Sequence, residues 1–259
     1  MKKTLIALAV AASAAVSGSA MAWTPNGHGG SISLGGELTP QNVVTPWEVL
    51  VGENVNNLSA NIKKGMAHVD VPVRTSIPFL GIRTQERWAF EGGPSYNPNI
   101  DYGSAVNLDT FVNGVTTLTL EVKDSTNRKI GTLTAPFSAA GVFSWKAADG
   151  SGGAAGAYAI DPNRMFKGGV PKSQAAASPL SDSLAKSIMP GIEDHFDSQG
   201  HTVSGVSWSG TDERRSTYSG YYAGGITAGS LIRIKLDAAA IGDDVITWKA
   251  AMPIVVSYQ

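Results

Sequence analysis

Apolar side chains recur at every second position in a series of short stretches along the chain. Residues 116–122 (TTLTLEV) and 130–135 (IGTLTA) alternate in this way and are joined by a polar link, KDSTNR, over 123–128. That combination predicts a β-hairpin. Residues 47–51 (WEVLV), 68–73 (HVDVPV), 231–236 (LIRIKL) and 252–258 (MPIVVSY) read as further strands. Many short strands separated by turn signals predict a mostly β chain folded as an antiparallel β-sandwich. The earliest stretch, GSISLGGELT at 30–39, puts Ile32, Leu34, Gly36 and Leu38 on one face and Ser31, Ser33, Gly35 and Glu37 on the other. No hairpin turn leads from it to a partner strand.

The middle of the chain departs from this pattern. Residues 138–158 are rich in Ala and Gly and show little periodicity. Residues 178–189 (SPLSDSLAKSIM) read as a helix capped by Ser178, with Pro179 in its first turn and Leu180, Leu184 and Ile188 on one face. Pro190 and Gly191 stop it. We read about 144–208 as an insertion in the sandwich carrying a short helix or two, within one domain spanning 41–259.

Composition adds a location. Met1-Lys2-Lys3, an apolar run over 5–16 and small residues up to Ala22 read as a secretory signal peptide, residues 1–22, with Trp23 first in the mature chain. The chain is expected to be exported. Without Lys2 and Lys3, 18 basic side chains face 21 acidic ones, a net charge of about −3, which gives no reason to expect nucleic acid as a partner. There is no cysteine, so disulfide stapling and thiol chemistry are excluded.

Catalytic patterns find little support. Gly205-Val-Ser-Trp-Ser209 lacks the last glycine of a nucleophile elbow. Gly150-Ser-Gly-Gly-Ala-Ala155 matches a dinucleotide loop in letters, but no hydrophobic strand precedes it and no helix follows. Glu193-Asp-His-Phe-Asp197 with His201 is a conceivable metal or hydrolase site, against the plainer reading of a solvated acidic loop. Arg214, Arg215, Tyr218, Tyr221 and Tyr222 form an aromatic and basic group that suits sheet packing better than a ligand. We expect no catalytic residue, no cofactor and no metal.

Met252, Ile254, Val256 and Tyr258 share one face, and Tyr258 is penultimate. A C-terminal strand ending in this way, paired with an unpartnered alternating strand near the start, resembles the subunits of chaperone–usher fimbriae. Gly30-Ser-Ile-Ser-Leu-Gly-Gly-Glu-Leu-Thr39, Trp47-Glu-Val, Ala140-Gly-Val-Phe143 and Trp248-Lys-Ala-Ala-Met-Pro-Ile-Val-Val-Ser-Tyr258 narrow the likeness to FaeG-type major subunits of enterotoxigenic fimbriae. The resemblance implies an incomplete immunoglobulin-like sandwich, completed by donor-strand exchange. Residues 23–40 would be the donor extension, with Ile32, Leu34, Gly36 and Leu38 entering a neighbour's groove. Met252, Ile254, Val256 and Tyr258 would form the strand that meets a periplasmic chaperone. It further implies an outer-membrane usher, head-to-tail contact with identical subunits, a place in the surface fimbrium, and adhesion to host glycans, galactose-containing ones among them. Tyr158, Asp161, Arg164 and Phe166 are the residues it suggests for the sugar: an acid and an Arg bond hydroxyls, and an aromatic face covers the apolar side of galactose. A shaft subunit without glycan binding, or a secreted hydrolase using His195, are the alternatives.

Overall fold

A computed structural model describes Gly36 and residues 44–259 other than Ile241 and Asp243. The signal peptide over 1–22, and Ile32, Leu34 and Leu38 of the expected donor strand, lie outside the described residues. The strands are β1 (Trp47–Val51), β2 (His68–Pro72), β3 (Ile77–Thr84), β4 (Phe90–Glu91), β5 (Pro98–Asp101), β6 (Val115–Lys123) and β7 (Lys129–Lys146). After these come β8 (Gly152–Ala157), helix α1 (Ser181–Ile188), β9 (Val203–Ser207), β10 (Thr217–Ile226), β11 (Leu231–Leu236) and β12 (Val255–Tyr258).

The main sheet runs β1-β3-β10-β7-β11-β2, with β4 on β10, β6 and β8 on β7, and β9 beyond β8. Its pairings are antiparallel except β8 with β9. The 116–135 hairpin forms as β6 against the first half of β7, Leu118 opposite Ala135 and Leu120 opposite Leu133. Its tight link is organised by Asp124, whose Oδ1 accepts from the Thr126 and Arg128 amides. β12 pairs with β5 as a second small sheet. The two sheets share one core, in which Ile100, Ile254, Val256 and Tyr258 join Leu80, Ile82, Leu118 and Phe137. The fold is therefore mostly β and layered as a sandwich.

The Ala/Gly-rich middle is strand rather than weakly patterned loop. β7 continues through it to Lys146, and every residue from Phe137 to Ser144 is buried. The sheet is covered on both faces there, so alternation vanishes and small side chains are needed. One face joins the main core. On the other, Ala140, Val142, Tyr221 and Ala223 pack under Ala185, Ile188, Met189 and Ile192.

Helix α1 starts later than the sequence suggests. Ser178 does not cap its first turn; its hydroxyl accepts the Leu180 amide at 3.1 Å, holding the entering chain in a local turn. The buried face is Ser181, Ala185 and Ile188, while Leu180 is exposed. The small residues Ser181 and Ala185 let the helix lie close to β8: a Cβ on Gly156 would come within 2.4 Å of Ser181 Oγ. Tyr221 donates its hydroxyl hydrogen to Asp182, which Lys186 also grips, and so ties α1 to β10.

Candidate functional site

Two features stand apart from ordinary packing. The first is an apolar groove of about 730 Å³. Its floor is core-type side chain: Val71 of β2, Phe79 of β3, Leu118 and Leu120 of β6, Leu133 of β7, and Ile232 and Ile234 of β11. Its walls are two segments outside the regular strands, 52–62 and 245–254. Among the described residues, the backbone of 53–62 makes one hydrogen bond, Ser59 N–H to Asn57 O. That of 245–254 is tied by a single reciprocal pair, Lys249 with Lys123. Backbone groups normally find partners in secondary structure or water. These walls present two ready edges, with an apolar floor between them.

The C-terminal strand borders this groove. Met252, Ile254, Val256 and Tyr258 are each partly buried and pack on the core, while Pro253, Val255 and Ser257 face out. The expected alternation thus places all four on the inner face. Val256 lies opposite Ile100 and Tyr258 opposite Pro98. Burial raises the Tyr258 phenol above the ordinary tyrosine value. Of the expected donor residues, Gly36 alone is described, and it is exposed.

The second feature is a surface platform. Arg164 lies over the ring of Trp208, 3.7 Å from its centroid, and its Nε is 3.4 Å from Asp161. Trp208 is 48% exposed and Ile160 beside Asp161 is 66% exposed. Asp161 Oδ1 accepts the Asn163 amide, shaping the turn that carries Arg164. Tyr158 is half-buried, and its amide donates to Ser207 O. The structure therefore brings Asp161 and Arg164 together, with Tyr158 anchored nearby.

Phe166 does not belong with them. It is fully buried, its ring stacked on Tyr222 at 5.7 Å and edge-on to Trp47 at 5.6 Å. A ring enclosed on both sides has no face to offer a sugar. Its φ of +63° is a conformation that bulky residues avoid; it is held by the Phe166 amide donating to Pro98 O at 2.8 Å. The exposed ring beside Arg164 is instead Trp208, which lies 44 positions further on. The parallel pairing of β8 with β9 and the Met165 N–H bond to Ser209 O bring the two segments together, so local spacing could not reveal the pair.

The remaining candidates disperse. Tyr221 and Tyr222 are buried on opposite faces of β10, Tyr221 against Phe196 and Tyr222 against Phe166. The Tyr222 and Tyr102 hydroxyls share a hydrogen bond of 2.8 Å, and burial drives both phenols above the ordinary value. His195 Nδ1 is 3.0 Å from Thr84 O and 3.4 Å from Glu48, which Arg83 also pairs. Among the described residues no group of three or more His, Asp or Glu side chains is placed to hold a metal ion. No helix among them is long and apolar enough to cross a membrane.

Comparison with known proteins gives the family. A family model described as "Fimbrial, major and minor subunit" matches residues 1–259. K88 fimbrial protein AC of Escherichia coli is 30% identical over 291 aligned positions, covering the whole of both chains. F41 fimbrial protein of Escherichia coli is 31% identical over 284 positions, again covering both in full. K88 fimbrial protein AB, from the same organism, is 35% identical over 205 positions, 71% of this chain and 70% of the relative. A whole-chain family match and full-length relatives at this identity leave one assignment: the chain belongs to the K88 family of fimbrial major and minor subunits, components of the cell-surface fimbrium.

Proposed function

We propose that this chain is a structural subunit that polymerises by donor-strand exchange, residues 30–39 of one copy filling the groove of the next. The observation that carries this reading is the groove, whose floor is built of core-type residues and whose two walls lie outside the regular strands. Its wall of ten residues, 245–254, and the ten-residue strand have the same extended length, about 33 Å. Ile32, Leu34 and Leu38 alternate as a strand with one apolar face requires, so backbone bonds would supply affinity and side-chain pockets the register. One donating end and one accepting groove on each copy make a head-to-tail contact that does not close. Before assembly, a periplasmic chaperone would hold the same groove and an outer-membrane usher would receive the subunit.

The test is assembly itself. A mature chain lacking residues 23–39 should enter the chaperone complex yet fail to extend a fibre, and polymerisation at the normal rate would refute the mechanism. A copy of residues 30–39 joined to the C-terminus by a flexible linker should give a soluble monomer.

The adhesive reading rests on the platform. Trp208 offers a half-exposed aromatic face, and Asp161 and Arg164 offer an acceptor and donors at its edge, the combination that suits a hexose with one apolar side. Galactose-containing host glycans are the expected ligands. The grafted monomer on a glycan array should show selective binding that Trp208→Ala and Arg164→Ala each abolish. A second reading has its own observation: Arg164 already engages Trp208 and Asp161 within the chain, as a purely structural cluster would. An array without selective signal decides for the shaft subunit.

A further inference from the structure

A short ladder of backbone hydrogen bonds runs to the Trp208 platform from β12, the strand that directly continues the groove-lining segment 245–254. β12 has β5 on one edge, flanked by Gln259 N–H to Asn97 O and Asn97 N–H to Gln259 O. Its other edge has no strand partner among the described residues. β5 in turn is bonded on its far edge to the turn that follows Arg164: Ile100 N–H donates to Lys167 O at 2.7 Å and Phe166 N–H to Pro98 O at 2.8 Å. From this turn, Met165 N–H reaches Ser209 O, next to Trp208. Asn99 Nδ2 also donates to Pro162 O, inside the Asp161–Arg164 loop. Each rung is one strand or one turn wide.

The turn is unsuited to absorbing a shift of β5. Phe166 and Gly168 both have left-handed φ, +63° and +83°. A Cβ at Gly168 would lie 1.9 Å from Ile100 O, so the two backbones are in direct contact. A four-residue β5 held between β12 and this turn is a small sheet of marginal independent stability. A further strand on β12 adds hydrogen bonds to the ladder and reduces its opening.

We propose that groove and platform are energetically linked through β12, β5 and the 164–168 turn, so that a strand seated in the groove firms the Arg164–Trp208 platform and raises its affinity for ligand. Polymerisation then switches on adhesion: an unassembled subunit is a weak binder and a fibre a strong one, before any gain from multivalency. By reciprocity, ligand on the platform tightens the donor strand. This linkage rests on the reading that the groove accepts a strand.

The experiment compares two full-length mature chains, each carrying a C-terminal copy of residues 30–39. One copy is intact and the other carries Ile32→Asn and Leu34→Asn. Amide hydrogen exchange is followed at Gln259 and Asn97, which report the β12–β5 ladder, and at Ile100 and Phe166, which report the turn. Trp208 emission is read as the difference from chains with Trp208→Phe. The linkage expects exchange at Ile100 and Phe166 to slow by at least about fivefold in the intact graft, the lower end of usual coupling, together with a shift in Trp208 emission. Slowing at Gln259 and Asn97 with Ile100, Phe166 and Trp208 unchanged overturns the linkage and leaves donor-strand filling standing. No slowing anywhere removes the premise and the linkage with it.

A second comparison stays within the folded, intact graft. Gly168→Ala should speed exchange at Gln259 by at least about fivefold. Gly229→Ala, also at a left-handed glycine (φ +85°) but with open space around it, should leave Gln259 unchanged. Equal responses to the two substitutions overturn the proposal.

Discussion

One strand, β7, lives in two environments. From Phe137 to Ser144 it is buried without a break, flanked by β10 and β8, with Ala139 and Phe143 in the main core and Ala140 and Val142 beneath α1. From Lys129 to Pro136 it alternates, Leu133 and Ala135 inward and Thr132 and Thr134 half-exposed, and Leu133 forms floor of the groove. The same chain supplies both covers of the 137–144 half. For the 129–136 half it supplies the floor and two walls. Burial completed in cis gives a rigid centre, and on the donor-strand proposal burial left to another strand gives a binding site, though the residue types on the two inner faces are alike.

The largest effect should come from filling the groove over the 129–136 half. Burying three apolar side chains such as Ile32, Leu34 and Leu38 contributes roughly 5–9 kcal/mol, at about 1.5–3 kcal/mol each. For a chain of this size each kcal/mol moves Tm by about 2–4 °C. The chain with the intact C-terminal graft should therefore melt at least about 10 °C above the one whose graft carries Ile32→Asn and Leu34→Asn, by calorimetry. Equal melting would erase the distinction between the two halves of β7.

Single truncations sharpen it. Phe143→Ala, in the half completed by its own chain, should cost about 3–5 kcal/mol whether or not the graft is intact. Leu120→Ala, on the groove floor and only partly buried, should cost about 2–4 kcal/mol with the intact graft and at least about 1 kcal/mol less with the substituted one. Denaturant melts of the four combinations give the coupling directly. Additive behaviour at Leu120 would mean that nothing seated in the groove touches it.

This contrast also explains what could be read from the sequence. β2, β6, β11 and the C-terminal strand showed themselves by alternation, since each has one covered and one open face. The four inward residues Met252, Ile254, Val256 and Tyr258 followed from that period alone. The second half of β7, β8 and β10 (TYSGYYAGGI) gave no such period, being covered on both faces. At α1 the sequence favours the large Leu180, Leu184 and Ile188, but close approach to Gly156 selected the smaller Ser181 and Ala185. At the platform, Asp161 and Arg164 were legible as near neighbours. Trp208 was not, because it arrives through tertiary pairing, and Phe166 misled because nothing local marks a ring as enclosed.

Alkaline titration tests the completed centre more gently. Tyr102 and Tyr222 are fully buried and joined to each other, and burial holds both phenols protonated above the ordinary value of about 10. The unfolded chain loses these protons as pH passes about 10 while the folded chain keeps them. Their contribution is therefore fully present below pH 10 and declines as pH rises above it. Melts from pH 8 to 12 should show that decline reduced in Tyr102→Phe/Tyr222→Phe, which removes both titrating groups together. A slope unaltered by the double substitution would place the alkaline loss elsewhere.

The smallest effect separates presentation from packing within one loop. Phe166→Ala opens a cavity between Trp47 and Tyr222 and should cost about 3–5 kcal/mol. Trp208→Ala removes a half-exposed ring that carries the Arg164 guanidinium, a contact worth about 0.5–1 kcal/mol at such exposure. Its Tm should fall by no more than about 4 °C. A side chain of that size kept at the surface for so little stability is a side chain available to a ligand. If Trp208→Ala proves as destabilising as Phe166→Ala, the ring belongs to the core that β5 and β12 enclose, and the platform ceases to be a surface at all.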